Sequence, residues 1–337
     1  MKLRTVISVC APLLSFSERS SARLFTVSNA CPFTIWPAMF TDLTVGTNVP
    51  PFPTGWESPP STSVSFGVPD NWKAGRIWGR RDCDFTTNPG PNSCLDGGCN
   101  GGLLCDPHTG TGVPPATVAE WTLEGDNNFD YYDVSLVDGY NLPMAIITSV
   151  SCPVASCPVD LGPLCPIPLV GPFDSTGFPV GCKSACAANL DGDATNSANC
   201  CSGSHDTAAT CPSSGVQFYS YFKQNCPNSY SYAFDESSGT ALWTCNSGLG
   251  ADYTVTFCPP VNGTVAGISA VPSSLIPTGT PSTSIASSSP TASPPSASPT
   301  LVHPNGSALS LPWSFTRWTW LLAALFSAFF VCGRWVA

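Results

Sequence analysis

Across residues 24–258 apolar positions come in short runs, at 24–28, 33–36, 64–68, 76–78, 117–123, 131–137 and 252–257, separated by segments rich in Gly, Pro and Asn. Successive side chains of a strand point to opposite faces, so short runs of this kind between turn residues read as strands. No long stretch keeps the period of an amphipathic helix. The pattern therefore predicts a mainly β fold with a β-sandwich core. From Cys152 to Cys245 the strand pattern fades while ten cysteines accumulate. That part is expected to be a loop-rich lobe held by bridges rather than by burial.

The two ends follow other patterns. Residues 1–22 place Lys2 and Arg4 before an apolar stretch at 6–16 and finish on Ser20-Ser21-Ala22, the order of a secretory signal peptide. The apolar stretch is short against the ~20 residues that a spanning helix needs. Residues 23–258 then form the globular domain, and 259–310 a Ser/Thr/Pro-rich stalk. Within it, 263–310 contains no Asp, Glu, Lys, Arg, Phe, Trp or Tyr from which to build a core. Residues 311–337 form a hydrophobic tail. Asn305-Gly306-Ser307, a spacer and the 15-residue apolar run 318–332 match a glycosylphosphatidylinositol signal better than a transmembrane helix. The expected location is the cell surface or wall, with membrane contact only through that C-terminal anchor.

Of the 18 cysteines, Cys10 falls in the leader and Cys332 in the tail, which leaves sixteen between Cys31 and Cys258. An even count in an oxidising compartment implies disulfides. None of the sixteen has the C-x-x-C spacing of a zinc site, and only His108 and His205 lie nearby, so no metal and no cofactor are expected. Without the leader and the tail beyond residue 305, seven basic residues face 21 acidic ones, a formal charge near −14. Nucleic acid, which needs a basic face, is not an expected partner. No G-x-S-x-G, P-loop or H-E-x-x-H motif occurs, and Ser204-His205-Asp206 reads as a polar loop. Sequons at Asn262-Gly263-Thr264 and Asn305-Gly306-Ser307 permit N-glycosylation.

The opening Leu24-Phe25-Thr26-Val27-Ser28-Asn29-Ala30-Cys31-Pro32-Phe33-Thr34-Ile35-Trp36-Pro37-Ala38 resembles the first strands of thaumatin-like proteins. Further segments follow in that family's order: Gly75-Arg76-Ile77-Trp78-Gly79-Arg80, Cys99-Asn100-Gly101-Gly102-Leu103-Leu104-Cys105, Ala119-Glu120-Trp121, and Tyr132-Asp133-Val134-Ser135-Leu136-Val137-Asp138-Gly139. After them come the Cys200-Cys201 doublet, Tyr219-Ser220-Tyr221-Phe222-Lys223 and Cys226-Pro227. The resemblance spans 24–258 and implies a thaumatin-like β-sandwich core with disulfide-rich loop lobes and eight disulfides. It implies the pairs Cys31–Cys258, Cys83–Cys94, Cys99–Cys105, Cys152–Cys245, Cys157–Cys226, Cys165–Cys182, Cys186–Cys200 and Cys201–Cys211. One departure is Asp96-Gly97-Gly98-Cys99, where the family usually reads Thr-Gly-Asp-Cys.

The same resemblance implies an acidic cleft between the β core and the lobe, lined by Arg76, Glu120, Asp133, Asp138 and Asp235. The last lies in Ala233-Phe234-Asp235-Glu236, where a shift of one residue selects Glu236. Asp133 and Asp138 are five apart, so a bend is needed for both to face one site. Gathered carboxylates raise one another's pKa, creating a general acid beside an ionised partner, as glycoside hydrolysis requires. Aromatic Trp121, Phe129, Tyr131 and Tyr132 are candidates to stack on sugars. The resemblance thus implies an extracellular monomer that binds β-1,3-glucan in the cleft. The alternatives are an endo-β-1,3-glucanase with Glu120 as proton donor and Asp133 or Asp138 as nucleophile or base, and a defence protein.

Overall fold

The computed structural model describes residues 22–87 and 89–260. The leader, nearly all of the stalk, the anchor signal and both sequons lie outside the described residues. The strands are β1 (Ala22–Asn29), β2 (Ala38–Thr41), β3 (Thr62–Pro69), β4 (Gly75–Trp78), β5 (Arg81–Cys83), β6 (Cys94–Asp96), β7 (Val118–Thr122), β8 (Phe129–Ser135), β9 (Met144–Thr148), β10 (Ala155–Cys157), β11 (Trp243–Asn246) and β12 (Tyr253–Phe257). Two five-stranded sheets result, ordered β10-β9-β12-β1-β3 and β11-β8-β7-β4-β2, with β5-β6 as a separate hairpin. Parallel pairing of β1 with β12 joins the start of the domain to its end.

Alternation decides what lies between the sheets. In β1, Phe25 and Val27 face inward, whereas Leu24, Thr26 and Ser28 face out. The opposing sheet contributes Ile77, Ala119, Trp121, Tyr132 and Val134 to the same core. Aromatic rings meet there edge to face, Phe25 with Trp121 at 5.1 Å and Tyr132 with Tyr253 at 5.4 Å. A second, smaller core forms on the outer side of the second sheet. Phe40, Trp78 and Val118 pack there beneath the Cys99–Cys105 loop. Fully buried Arg80 pins that loop by donating to the carbonyls of Gly102 and Leu103 on one side and Trp36 on the other. With no acidic partner, burial lowers its pKa to about 10.

All eight disulfides are present and join the partners that the resemblance implies. The segment between β10 and β11 holds only short 3-10 turns and one α-helix, α1 (Tyr219–Asn225), among its regular elements. It is the loop-rich lobe expected from the cysteine density.

Some local expectations need correction. Residues 33–36 form no strand: Pro32 and Pro37 bracket them, and only Ile35 makes an isolated bridge, to Ser58. The strand falls at β2 instead. β5, β6, β9, β10, β11 and α1 lie outside the predicted runs, because each is only three to seven residues long and carries little pattern of its own.

Replacing Cys31 and Cys258 together by Ser, which opens a loop of 227 residues, should lower the unfolding free energy in urea by about 5 kcal/mol. The same change at Cys201 and Cys211, ten residues apart, should cost about 3 kcal/mol. A reversed ranking would mean that chain entropy does not govern these bridges.

Candidate functional site

Register across the second sheet brings the charged residues together. Arg76 of β4 lies directly opposite Glu120 of β7, and Glu120 directly opposite Asp133 of β8. Directly opposed residues in antiparallel strands have Cβ atoms about 4.5–5.5 Å apart. The flanking Ile77, Ala119, Trp121, Tyr132 and Val134 take the core side, so Arg76, Glu120 and Asp133 must share the outer face.

Asp138 joins the row because the chain bends after β8. Gly139 N–H donates to the Leu136 carbonyl at 2.9 Å, closing a turn with Gly139 at φ +89°. A Cβ there would come within 2.9–3.0 Å of Cys182 O, Pro115 Cβ and Ser184 N, so the bend requires glycine.

Arg76 is the hub. Its Nη2 donates to Glu120 Oε1 at 2.6 Å, while Nη1 lies 3.6 Å from Asp138 Oδ2 and donates to the Thr111 carbonyl at 3.4 Å. The side chains of Arg76, Glu120 and Asp138 are 21%, 32% and 25% exposed, which leaves the cluster open to a ligand. Burial disfavours the Arg76 charge, but Glu120, Asp138 and Asp133 outweigh it and raise the pKa. Asp133 is deeper and differs in kind. Its Oδ2 is buried with no hydrogen-bond partner. Burial, then the charges of Glu120 and Glu236, push its pKa well above the carboxylate range despite Arg76. Burial and Glu120 also raise Asp138, with Arg76 opposing.

Asp235 is not brought to this cluster. It is fully buried and turned into the lobe, where it accepts from Tyr219 Oη at 2.8 Å and Ser231 N at 3.0 Å and pairs with Lys223 Nζ at 3.0 Å. Its neighbour Glu236, exposed on the same 3-10 turn, is the residue whose charge reaches Asp133 and whose side chain hydrogen-bonds Tyr230. The one-residue shift left open by the sequence thus falls on Glu236, whereas Tyr230 had no signal of its own. Trp121 and Tyr132 are core residues, 2% and 0% exposed, and are unavailable for stacking on a sugar. Tyr131 and Phe129 share the outer face of β8 with Asp133. His205 Nδ1 donates to the Thr210 carbonyl at 3.0 Å, and Ser204 bonds Asn196, in a loop apart from the cluster. Among the described residues no group of His, Cys, Asp and Glu is placed to hold a metal.

A model of the Thaumatin family matches residues 29–259. The chain belongs to the Thaumatin family. It is 40% identical over 249 residues to pathogenesis-related thaumatin-like protein 3.5 of Cryptomeria japonica, covering 72% of this chain and 92% of that protein. Thaumatin-like protein 1a of Malus domestica is 37% identical over 263 residues, 77% of this chain and 98% of its own length. Pathogenesis-related protein 5 of Arabidopsis thaliana is 40% identical over 239 residues, 70% and 90% of the two chains. Among solved structures, a thaumatin-like xylanase inhibitor is 21% identical, with a TM-score of 0.34 over 70% of this chain and 99% of its own.

The raised carboxyls make a pH prediction for this Thaumatin-family domain. A carboxyl whose folded pKa exceeds its unfolded value favours the folded state most at low pH, and that contribution is lost as pH rises through the folded pKa. The thermal stability of D133N should therefore gain on the wild type steadily from pH 4 upward. A difference that stays constant with pH would show that folding does not shift the Asp133 pKa.

Proposed function

We propose that this chain binds β-1,3-glucan outside the cell, on the outer face of the second sheet. The observation that carries the reading is the Arg76-Glu120-Asp133 row with Asp138 at its end. Sugar hydroxyls both donate and accept, and the row offers both functions. Arg76 donates, whereas the carboxyls of Glu120, Asp133 and Asp138 accept. A cluster with more acid than base suits a neutral polymer and repels an anionic one. Tyr131, beside Asp133 on the same face, supplies an aromatic surface for a sugar ring. Eight disulfides fit an oxidising extracellular compartment. The pathogenesis-related names of two relatives support a defence setting. The stalk and glycosylphosphatidylinositol signal read from the sequence would hold the domain at the cell surface.

Hydrolysis is the second reading, favoured by the buried, unpartnered Oδ2 of Asp133. A carboxyl that keeps its proton near neutral pH is the group that protonates a leaving glycosidic oxygen. Glu120, engaged with Arg76 at 2.6 Å, then serves as the carboxylate partner. These roles reverse the assignment made from sequence, in which Glu120 donated the proton.

The test uses full-length protein from a secretory host, measured for retention on insoluble linear β-1,3-glucan and for release of reducing ends. Retention weakened about tenfold or more in R76Q, without release, supports binding alone. Release by the wild type that disappears in D133N supports hydrolysis. Absence of both retention and release would sink the glucan assignment. For the anchor, a phosphatidylinositol-specific phospholipase should free the protein from membranes. Purified protein that still carries residues 318–337 would exclude the lipid anchor.

A further inference from the structure

Where the disulfide lobe meets one end of the sandwich lies a hollow of about 300 Å³, with Phe33, Leu142, Phe178 and Val180 among its walls. It shares no residue with the Arg76-Glu120-Asp133 row. Its parts come from distant stretches of chain: the loop after β1, strand β5, the turn before β9 and the lobe around Asp160 and Phe178. The Cys31–Cys258 and Cys165–Cys182 bridges tie these stretches together, so the hollow is held open by covalent links and not by a loop that must order itself. Its size is at the lower end of small-molecule sites and matches a single ring system, not a polymer.

Arg81 and Asp160 are the charged residues in its wall. The Arg81 guanidinium stands over the Phe33 ring, 4.7 Å from its centroid, and Nη1 donates to the Val180 carbonyl at 3.2 Å. Its Nε is buried and has no hydrogen-bond partner. Among the described residues no carboxylate forms an ion pair with Arg81, in contrast to Arg23 and Arg76. A guanidinium with donors to spare beside an apolar hollow complements a carboxylate carried on an apolar body. Because the domain as a whole is strongly acidic, small anions gain nothing from its general field. The apolar walls must contribute, and the exposed Phe178 and the Phe33 ring offer faces for an aromatic ligand.

Asp160 narrows the ligand further. Its Oδ1 accepts from Gly162 N at 3.0 Å and from Tyr140 Oη at 3.2 Å, which fixes the carboxylate in place. A fixed acceptor rejects a second negative group and accepts from a hydroxyl. We propose that this hollow is a binding site for a small hydroxylated aromatic carboxylate, with the carboxylate on Arg81, the ring against Phe33 and Phe178, and the hydroxyl toward Asp160.

The probe is 4-hydroxybenzoate, titrated calorimetrically into the full-length protein, with neutral 4-hydroxybenzyl alcohol as its partner compound. The acid should bind at least about tenfold tighter than the alcohol, because only the acid engages Arg81. R81Q should erase that preference, R81K should keep part of it, and F178A should weaken acid and alcohol alike. Thermal melts establish that each variant is folded. The acid-against-alcohol comparison needs no variant, so a misfolded R81Q does not remove the test. Equal binding of acid and alcohol, no binding of either, or full binding by a folded R81Q would each overturn the proposal.

Discussion

The buried contact between Arg23 of β1 and Asp130 of β8 fixes how the two sheets face each other. Arg23 Nη1 meets Asp130 Oδ2 at 2.8 Å, and both side chains are almost wholly removed from water. A buried pair of this kind is tolerated only when its remaining hydrogen-bonding capacity is filled. Here it is: Asp130 also accepts from Ser247 Oγ, Tyr253 Oη and Glu124 N, while Arg23 reaches Asp70 and the carbonyls of Ala251 and Ser247. A slip of β8 by one residue would turn Asp130 to the outside and leave Arg23 with Asp70 as its remaining carboxylate partner. The pair therefore helps to fix the register of β8, and register decides which residues of that strand take its outer face.

What this register holds in place is electrostatically tense. Asp133 points outward, three residues along from Asp130, into a row that already contains Glu120 and is approached by Glu236. β8 is held between β11 and β7 as well as by the inter-sheet pair, so it cannot relieve the repulsion by shifting, and burial together with that repulsion raises the pKa of Asp133. The site thus sets the Arg76–Glu120 contact beside a buried carboxyl on the adjoining strand whose pKa is raised.

How much of this could be read from the sequence depended on whether the signal was local. Strands β1, β3, β4, β7, β8 and β12 are legible because each lies in a short apolar run, alternating most clearly in β1 and β12. β2 was misplaced by several residues because Ala38-Met39-Phe40-Thr41 is buried on both faces and shows no alternation. α1 is preceded by Phe218, its N-cap residue in a left-handed conformation without a side-chain cap, so no start signal announces it. Arg76, Glu120, Asp133 and Asp138 came from motifs whose strands keep their spacing. Asp235 and Glu236 sit on a short 3-10 turn, where neighbours point in different directions and a motif match cannot say which one faces the site.

The buried acids of this fold differ in how far packing has used their hydrogen-bonding capacity. Asp130 accepts from four donors and Asp235 from three, and both are buried at 0% exposure; each is consumed by the packing it stabilises. Asp133 is nearly as buried, at 8%, yet its Oδ2 has no partner. Because an unsatisfied buried polar atom carries a desolvation cost of about 1–3 kcal/mol, the folded state holds that cost in reserve. A ligand hydroxyl that reaches Asp133 recovers it, whereas one that reaches Asp130 or Asp235 would first have to break bonds already made. Asp133 thus keeps a hydrogen-bonding capacity on the outer face of β8 that Asp130 and Asp235 have already spent on packing.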